Sequence, residues 1–387
     1  MFLTATNLAY YLLSRGHISP EDIVHGDCMV IESGRRNRNF KVIRRNTPGL
    51  FVKQLPIVAE ETVNSVFREA VCYQLAQENP AFSSLGSVTP RLLDYDPRRH
   101  SLIIEFLEHS ENLNEFHLRL GDYPESIGRM IGRAMAGYHK DAPRMLSNPE
   151  PLAVFPRTPP WVLSIAQDQE MLMPNASAAI KEVVRILRHT PGLLQGLAAC
   201  KEDWQPHCLI HGDIKWDNFL LISSAEGEHT LRIIDWELAD IGDAAWDVAC
   251  VFTAYVQYWL LMVPMDASAS DPTLLLSRAP RPLGSVWPAL RGFWQEYVNT
   301  SGIPAELAAS QLRRCVQYTG ARLVLTAIEV NNGREQLAPV TGMMLQLAHS
   351  ILQEPVRAAS ELLGLTSPYP VLPSPVGMPP ATAPVTT

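Results

Sequence analysis

The run Leu209-Ile210-His211-Gly212-Asp213-Ile214-Lys215-Trp216-Asp217-Asn218-Phe219-Leu220-Leu221 constrains this chain more than any other part of it. An apolar strand delivers a tight turn bearing His, Gly and Asp. Asn218 follows five positions after Asp213 and opens a second apolar run. Seventeen positions beyond Asn218, the run Arg232-Ile233-Ile234 ends on Asp235. Two such strand-and-acid units in this order gather oxygen ligands at neighbouring strand ends. Phosphoryl transfer needs a carboxylate that takes the proton of an attacking hydroxyl. It also needs a few hard oxygen ligands for Mg²⁺, which keeps waters and borrows phosphate oxygens. Asp213 suits the first role, and Asn218 and Asp235 the second. The competing reading is an acidic loop that caps helices by chance.

The surrounding pattern predicts an α+β chain. Apolar runs at 28–33, 39–44 and 50–54 alternate with turn residues Gly34, Asn37, Pro48 and Gly49, as in an antiparallel meander. A helix follows in which Val63, Val66, Phe67, Ala70 and Val71 recur on one face. Strands are expected at 91–95 and 101–106. Before the meander, Leu8, Tyr11 and Leu12 share a helix face with Thr4 or Thr6 as its cap. From Ser126 the pattern turns helical, with Ile127, Met130, Ile131, Ala134, Met135 and Tyr138 in one stripe. A Pro-rich loop is expected at 142–160, and helices at 161–172 and 175–189, divided at Pro174. Strands at 208–210 and 231–234 bracket the chemistry. Helices at 246–263, 304–331 and 340–363 close the chain. The expected organisation is a β-rich N-terminal lobe over 1–109, a larger helical lobe over 110–366, and a disordered Pro-rich tail over 367–387.

Composition excludes some classes of partner. A net charge of -8 argues against nucleic acid. The segment 248–263 has 16 residues and contains Gln257, short for a membrane span, so a buried helix is expected and no membrane partner. Met1 to Leu13 lacks a basic start and is interrupted by Asn7 and two tyrosines, unlike a secretion signal. The six cysteines are scattered without a CxxC pair and read as reduced thiols of a cytoplasmic protein.

Over roughly residues 28–252 the chain resembles the aminoglycoside phosphotransferase family, within the wider protein-kinase-like superfamily. His-Gly-Asp-x-x-x-x-Asn at 211–218 is similar to that family's catalytic loop, and Ile234-Asp235-Trp236-Glu237 to its metal-binding segment. Gly242-Asp243-Ala244-Ala245-Trp246-Asp247-Val248-Ala249 resembles its Gly-Asp-Pro-x-x-Asp-Leu-Ala signature. The resemblance implies a bilobal kinase-like fold, a nucleoside triphosphate (ATP or GTP) as donor and Mg²⁺ as cofactor. It gives Asp247 a structural part, accepting hydrogen bonds from the catalytic-loop backbone. His211 is read as shaping the loop, and His139 as packing or as a group at a helix C-terminus. Only 11 positions separate Asp235 from Trp246, too few for a long phosphorylatable segment, so a constitutively formed site is expected.

On the nucleotide side, Lys53 ends the third strand and is expected to grip the α- and β-phosphates, held by Glu69 sixteen positions on. The segment 102–108 resembles the hinge between lobes, where adenine would meet the backbone of Glu105 and Leu107, with Ile104 behind it. There are two departures. The segment 33–39 has one glycine and three arginines instead of a Gly-rich phosphate loop. Those arginines are read either as contacts to phosphate or an acidic partner, or as a solvated hairpin. Lys215, two residues past Asp213, matches the place where Ser/Thr protein kinases put a lysine on the transferring phosphoryl group. The acceptor is therefore left open between a hydroxyl-bearing small molecule and a peptidyl Ser/Thr. The peptide route is of the lanthipeptide-pathway type, with a partner lyase. Asp217, Glu237, Asp240 and Asp243 are candidates for greeting a cationic acceptor. A pseudokinase scaffold and a peptide-binding subunit that recruits a partner enzyme are the alternatives to catalysis.

Overall fold

The computed structural model describes residues 2–34, 38–55, 57–141, 153–167, 176–224, 227–264 and 278–366. Five antiparallel strands, β1 (Cys28–Glu32), β2 (Arg38–Arg44), β3 (Leu50–Gln54), β4 (Leu92–Asp96) and β5 (Ser101–Glu105), form one sheet in the order β1-β2-β3-β5-β4. Helix α1 (Ala5–Ser14) covers one face, burying Leu8, Tyr11 and Leu12 against Val42, Leu50, Val52 and Ile103. Thr4 supplies its N-cap, accepting the Asn7 N–H at 3.3 Å. A short helix α2 (Pro20–Val24) leads into β1, and α3 (Glu60–Glu78) lies on the opposite face with Val66, Ala70 and Tyr73 buried beside Leu102 and Ile104. Successive β3 side chains point to opposite faces. Leu50 and Val52 therefore meet α1, while Lys53 points to α3.

Helix α4 (Ser83–Val88) precedes β4, and beyond β5 the chain becomes mainly helical: α5 (Leu113–Leu120), α6 (Glu125–Asp141), α7 (Ala178–His189), α8 (Pro191–Glu202), α9 (Ala244–Met262), α10 (Trp287–Ser301), α11 (Ala305–Glu329), α12 (Thr341–Gln353) and α13 (Pro355–Glu361). Helix α9 is buried along nearly its whole length. Among the described residues no helix is long and apolar enough to cross a membrane. Two small sheets accompany the helices. One orders β6 (Ser110–Asn112), β8 (Phe219–Ser223) and β9 (His229–Ile233) as β6-β8-β9; the other pairs β7 (Cys208–Ile210) with β10 (Asp240–Gly242).

The α+β expectation holds, and several local expectations do not. Of the helix expected at 161–172, the described residues 161–167 show one turn of 3-10 helix, Trp161–Ser164, and 168–172 lie outside the described residues. Val162 and Leu163 are both buried there. The expected division at Pro174, most of the loop at 142–160, Arg35 to Asn37 and the tail from Ser367 lie outside the described residues. The helix expected at 340–363 is two helices, because Pro355 has no N–H to continue the first and starts the second at its N1 position. Helices α8 and α10, also with Pro in the first turn, were not anticipated from the pattern.

Candidate active site

Strand β7 ends at Ile210 and the chain turns at once. Gly212 has φ +81°, and a Cβ there would run into the carbonyl oxygen of Leu238. Only glycine lets this turn lie so close to the segment after Asp235. The turn rests on Asp247, in the first turn of α9 and fully buried. Its Oδ2 accepts the His211 N–H at 2.7 Å and its Oδ1 the Gly212 N–H at 3.0 Å. The Tyr138 hydroxyl donates to Oδ2 at 2.8 Å, and His139 Nε2 lies 3.3 Å away. Burial opposes the charge, but His139 and the His211 N–H outweigh it and hold the Asp247 pKa below the ordinary aspartate value. The His139 Nδ1 meets the Tyr297 hydroxyl at 3.0 Å, so this histidine is part of the packing beneath the loop.

His211 points inward. Its Nδ1 accepts the Asp213 N–H at 3.3 Å, and its Nε2 lies 2.9 Å from the Ile234 carbonyl. With Nδ1 accepting, Nε2 carries the proton and donates. The ring thereby ties the end of the first strand-and-acid unit to the end of the second. Asn218 completes the tie: its Nδ2 donates to the Asp213 carbonyl at 3.0 Å, and its own carbonyl accepts the Ile234 N–H at 3.0 Å. The donor end of the amide is committed, and Asn218 Oδ1 has no partner among the described residues.

The Asp213 carboxylate has a cation on each oxygen. Lys215 Nζ lies 2.5 Å from Oδ2 and Arg322 Nη2 lies 3.3 Å from Oδ1. Burial raises the Asp213 pKa, but the two cations outweigh it and the pKa is lowered. Burial likewise works against the Lys215 charge, and Asp213 first and Asp235 after it raise its pKa. Arg322, on α11, is missing from the sequence reading. Its one signal is that it is the only charged residue in 315–328, a stretch whose pattern reads as buried helix.

Opposite this group, Lys53 Nζ lies 2.8 Å from Glu69 Oε2, 2.6 Å from Asp235 Oδ1 and 2.7 Å from Glu237 Oε2. Three carboxylates face one ammonium. Burial depresses the Lys53 pKa, yet Glu69, Asp235 and Glu237 raise it well above its ordinary value, so it stays charged. Burial pushes Glu69 up to about 7 against the attraction of Lys53. Asp235 is held at φ 70°, ψ 52°, in the left-handed region that non-glycine residues adopt at a cost. The backbone turns there so that the side chain leaves the strand end towards Lys53.

Hydrogen bonds and ion pairs link Lys53 with Glu69 and Asp235, and Asp213 with Lys215 and Asn218, while His211 and Asp247 hold the loop that carries Asp213. The hinge residues lie at and just beyond the end of β5. Ile104 is buried at the end of β5 and pairs with Phe51. The Glu105 N–H already donates to the Arg91 carbonyl at 2.9 Å, so the free N–H at this hinge is that of Leu107 among the described residues. Of the acids considered for a cationic acceptor, Glu237 is on Lys53, Asp240 accepts the N–H groups of Arg157 and Thr158, and Asp243 holds Arg314 and the Ala245 N–H. These three are engaged within the chain and leave only Asp217 exposed.

Residues 27–273 match the phosphotransferase enzyme family. No curated protein matches the chain in sequence. Among solved structures, a choline kinase from Cryptosporidium parvum Iowa II is similar at 15% identity and TM-score 0.55, over 92% of this chain and 98% of that one. A microcompartment-associated aminopropanol kinase is similar at 14% identity and TM-score 0.52, over 93% and 100%. A choline/ethanolamine kinase family protein from Mesorhizobium loti is similar at 18% identity and TM-score 0.50, over 91% and 96%. At such identities these likenesses concern the fold.

Proposed function

The chain belongs to the phosphotransferase enzyme family, and we propose that it moves the terminal phosphoryl group of ATP or GTP to the hydroxyl of a small molecule, with Mg²⁺ required. The observation that carries this reading is Asp213, a partly buried carboxylate held between Lys215 and Arg322 and kept ionised by them. In it, Asp213 accepts the proton of the acceptor hydroxyl as its oxygen attacks phosphorus. Lys53, held by Glu69, grips the donor phosphates. Lys215 stabilises the charge that spreads over the transferring oxygens. The donor set fits the metal: Asp235 and the free Oδ1 of Asn218 are hard oxygens, and the carboxylates around Lys53 exceed its charge. Those two residues, with Glu237 beside them, would hold Mg²⁺, which when bound neutralises phosphate charge. The six free cysteines suit work in the cytoplasm.

The kinases of similar fold carry choline and aminopropanol in their names, which supports a small alcohol as acceptor. A second reading, a peptidyl Ser/Thr acceptor, is supported by Lys215 alone, two residues past Asp213. Wild type and Asp213→Asn are incubated with ATP, Mg²⁺ and a panel of amino alcohols, aminocyclitols and Ser/Thr peptides, and products are read by mass spectrometry. The expected result is a phosphorylated small alcohol from wild type, reduced about 10²–10⁴-fold in the folded mutant. A phosphopeptide as the sole product rejects the small-molecule acceptor. No product from any acceptor, or equal rates in wild type and mutant, rejects the reading itself.

A further inference from the structure

We propose that Arg322 is a positioning residue for phosphoryl transfer, aiming the Asp213 carboxylate at the acceptor hydroxyl from the side away from the nucleotide. The inference rests on the proposed function.

Arg322 lies on α11, 109 positions from Asp213, and is only 6% exposed. Its guanidinium is fixed before it reaches the carboxylate. Nη1 donates to Glu329 Oε2 at 2.9 Å and to Thr326 Oγ1 at 3.2 Å, both on the same helix. With one arm of the planar fork held, the other arm has a set direction, and Nη2 meets Asp213 Oδ1 at 3.3 Å. A pair with Glu329 alone does not require this burial. Glu329 is 47% exposed, and the two charges would meet as well at the surface without desolvation. The contact that needs a buried guanidinium is the one to Asp213.

The two cations on Asp213 are not equivalent. Lys215 belongs to the same loop and feels Asp235, so it stands on the nucleotide side. Arg322 comes from a helix that contributes nothing to the Lys53–Glu69–Asp235–Glu237 group. A carboxylate has about four lone-pair sites on its two oxygens, so one cation per oxygen leaves room for a hydroxyl to donate. Held from both sides, Asp213 cannot swing away from the acceptor. This is the placement that transfer to a bound hydroxyl demands, since small misplacements near the reacting atoms cost large factors in rate.

The test uses the full chain and compares wild type, Arg322→Met and Arg322→Lys. Readouts are transfer to the alcohol phosphorylated in the panel, slow hydrolysis of MgATP with water as acceptor, nucleotide KM and melting temperature. Arg322→Met should lose about 10²-fold in turnover on both acceptors while nucleotide KM stays within roughly twofold. Arg322→Lys, which keeps the charge but not the fork, should lose about tenfold, and added guanidinium ion should restore part of the Met variant's rate. If Arg322→Met does not fold, Arg322→Lys carries the test by its turnover at unchanged nucleotide KM. Wild-type turnover in either folded variant overturns the inference. So does a loss in which turnover and nucleotide KM worsen together with melting temperature, because that marks a structural ion pair. Transfer by wild type with no effect of Arg322 leaves the proposed function standing and removes this inference alone. Absence of any transfer or hydrolysis by wild type removes both.

Discussion

Lys53 and Asp235 stand 182 positions apart, yet the lysine Nζ lies 2.6 Å from Asp235 Oδ1. The lysine is the inward-facing residue near the end of a sheet strand, and the aspartate closes a strand of the other region. Their contact joins the five-stranded sheet to the segment that follows β9. The same ammonium touches Glu69 and Glu237, so carboxylates that are candidates for holding Mg²⁺ are satisfied by a lysine within the chain.

Mg²⁺ dependence should therefore trace to Asp235 and Asn218. Calorimetry of ATP binding with Mg²⁺ and with a chelator is expected to show a metal-dependent gain in affinity for wild type. That gain should disappear in Asp235→Ala and in Asn218→Ala. Equal affinities with and without metal in all three proteins would misplace the site.

Lys215→Ala should act on turnover more than on binding. Under the proposed function its ammonium, 2.5 Å from Asp213 Oδ2, would stabilise the charge that develops on the transferring group in the transition state. Turnover should fall about 10²–10³-fold, the range seen when one such donor is removed, with a smaller change in nucleotide KM. A variant with raised KM and unchanged kcat would make Lys215 a ground-state contact instead.

Gly212→Ala tests the turn. Alanine at φ +81° costs about 1–2 kcal/mol, and its Cβ also meets the Leu238 carbonyl. The loop must shift, and a shift of the order of an ångström at Asp213 should cost about 10²-fold in turnover. Steady-state kinetics and a melting curve on the same sample read both effects.

Asp247→Asn should destabilise the fold by about 2–3 kcal/mol near neutral pH, since the amide cannot replace a buried carboxylate towards two N–H groups, Tyr138 and His139. Against the effect of burial, His139 and the His211 N–H hold the Asp247 pKa in the folded chain below the ordinary aspartate value. Its contribution is thus fully present above that value and is lost as pH falls through the folded pKa. The stability gap between wild type and mutant should stay level from about pH 5 to pH 8 and narrow below about pH 4. Urea denaturation across this range measures it, and a gap that widens on acidification would contradict the assignment.

Part of this site was legible in the sequence because it is local. The turn at 211–213, the spacing to Asn218 and the acid closing the next apolar run are set within 25 residues. Strand alternation turns Lys53 to the face opposite Val52, and helix periodicity puts Glu69 among the buried positions of α3. The hinge was legible only in outline. Ile104 is buried as expected, but the Glu105 N–H is taken by Arg91, a pairing that follows from how β4 lies beside β5. The break at Pro355 was missed because apolar periodicity runs on through a proline at a helix start.

The sequence by itself determined the α+β class, the order of the strand-and-acid units and the residue types that chemistry at Asp213 requires, since these depend on backbone preferences and short spacings. Tertiary structure alone decided that Arg322 holds Asp213, that Glu237 sits on Lys53, and that Asp240 and Asp243 are spent on backbone and arginine partners within the chain. The physical reason is that a buried charge must find its partner wherever packing brings one, and packing between helices and strands far apart in the chain leaves no mark in local sequence.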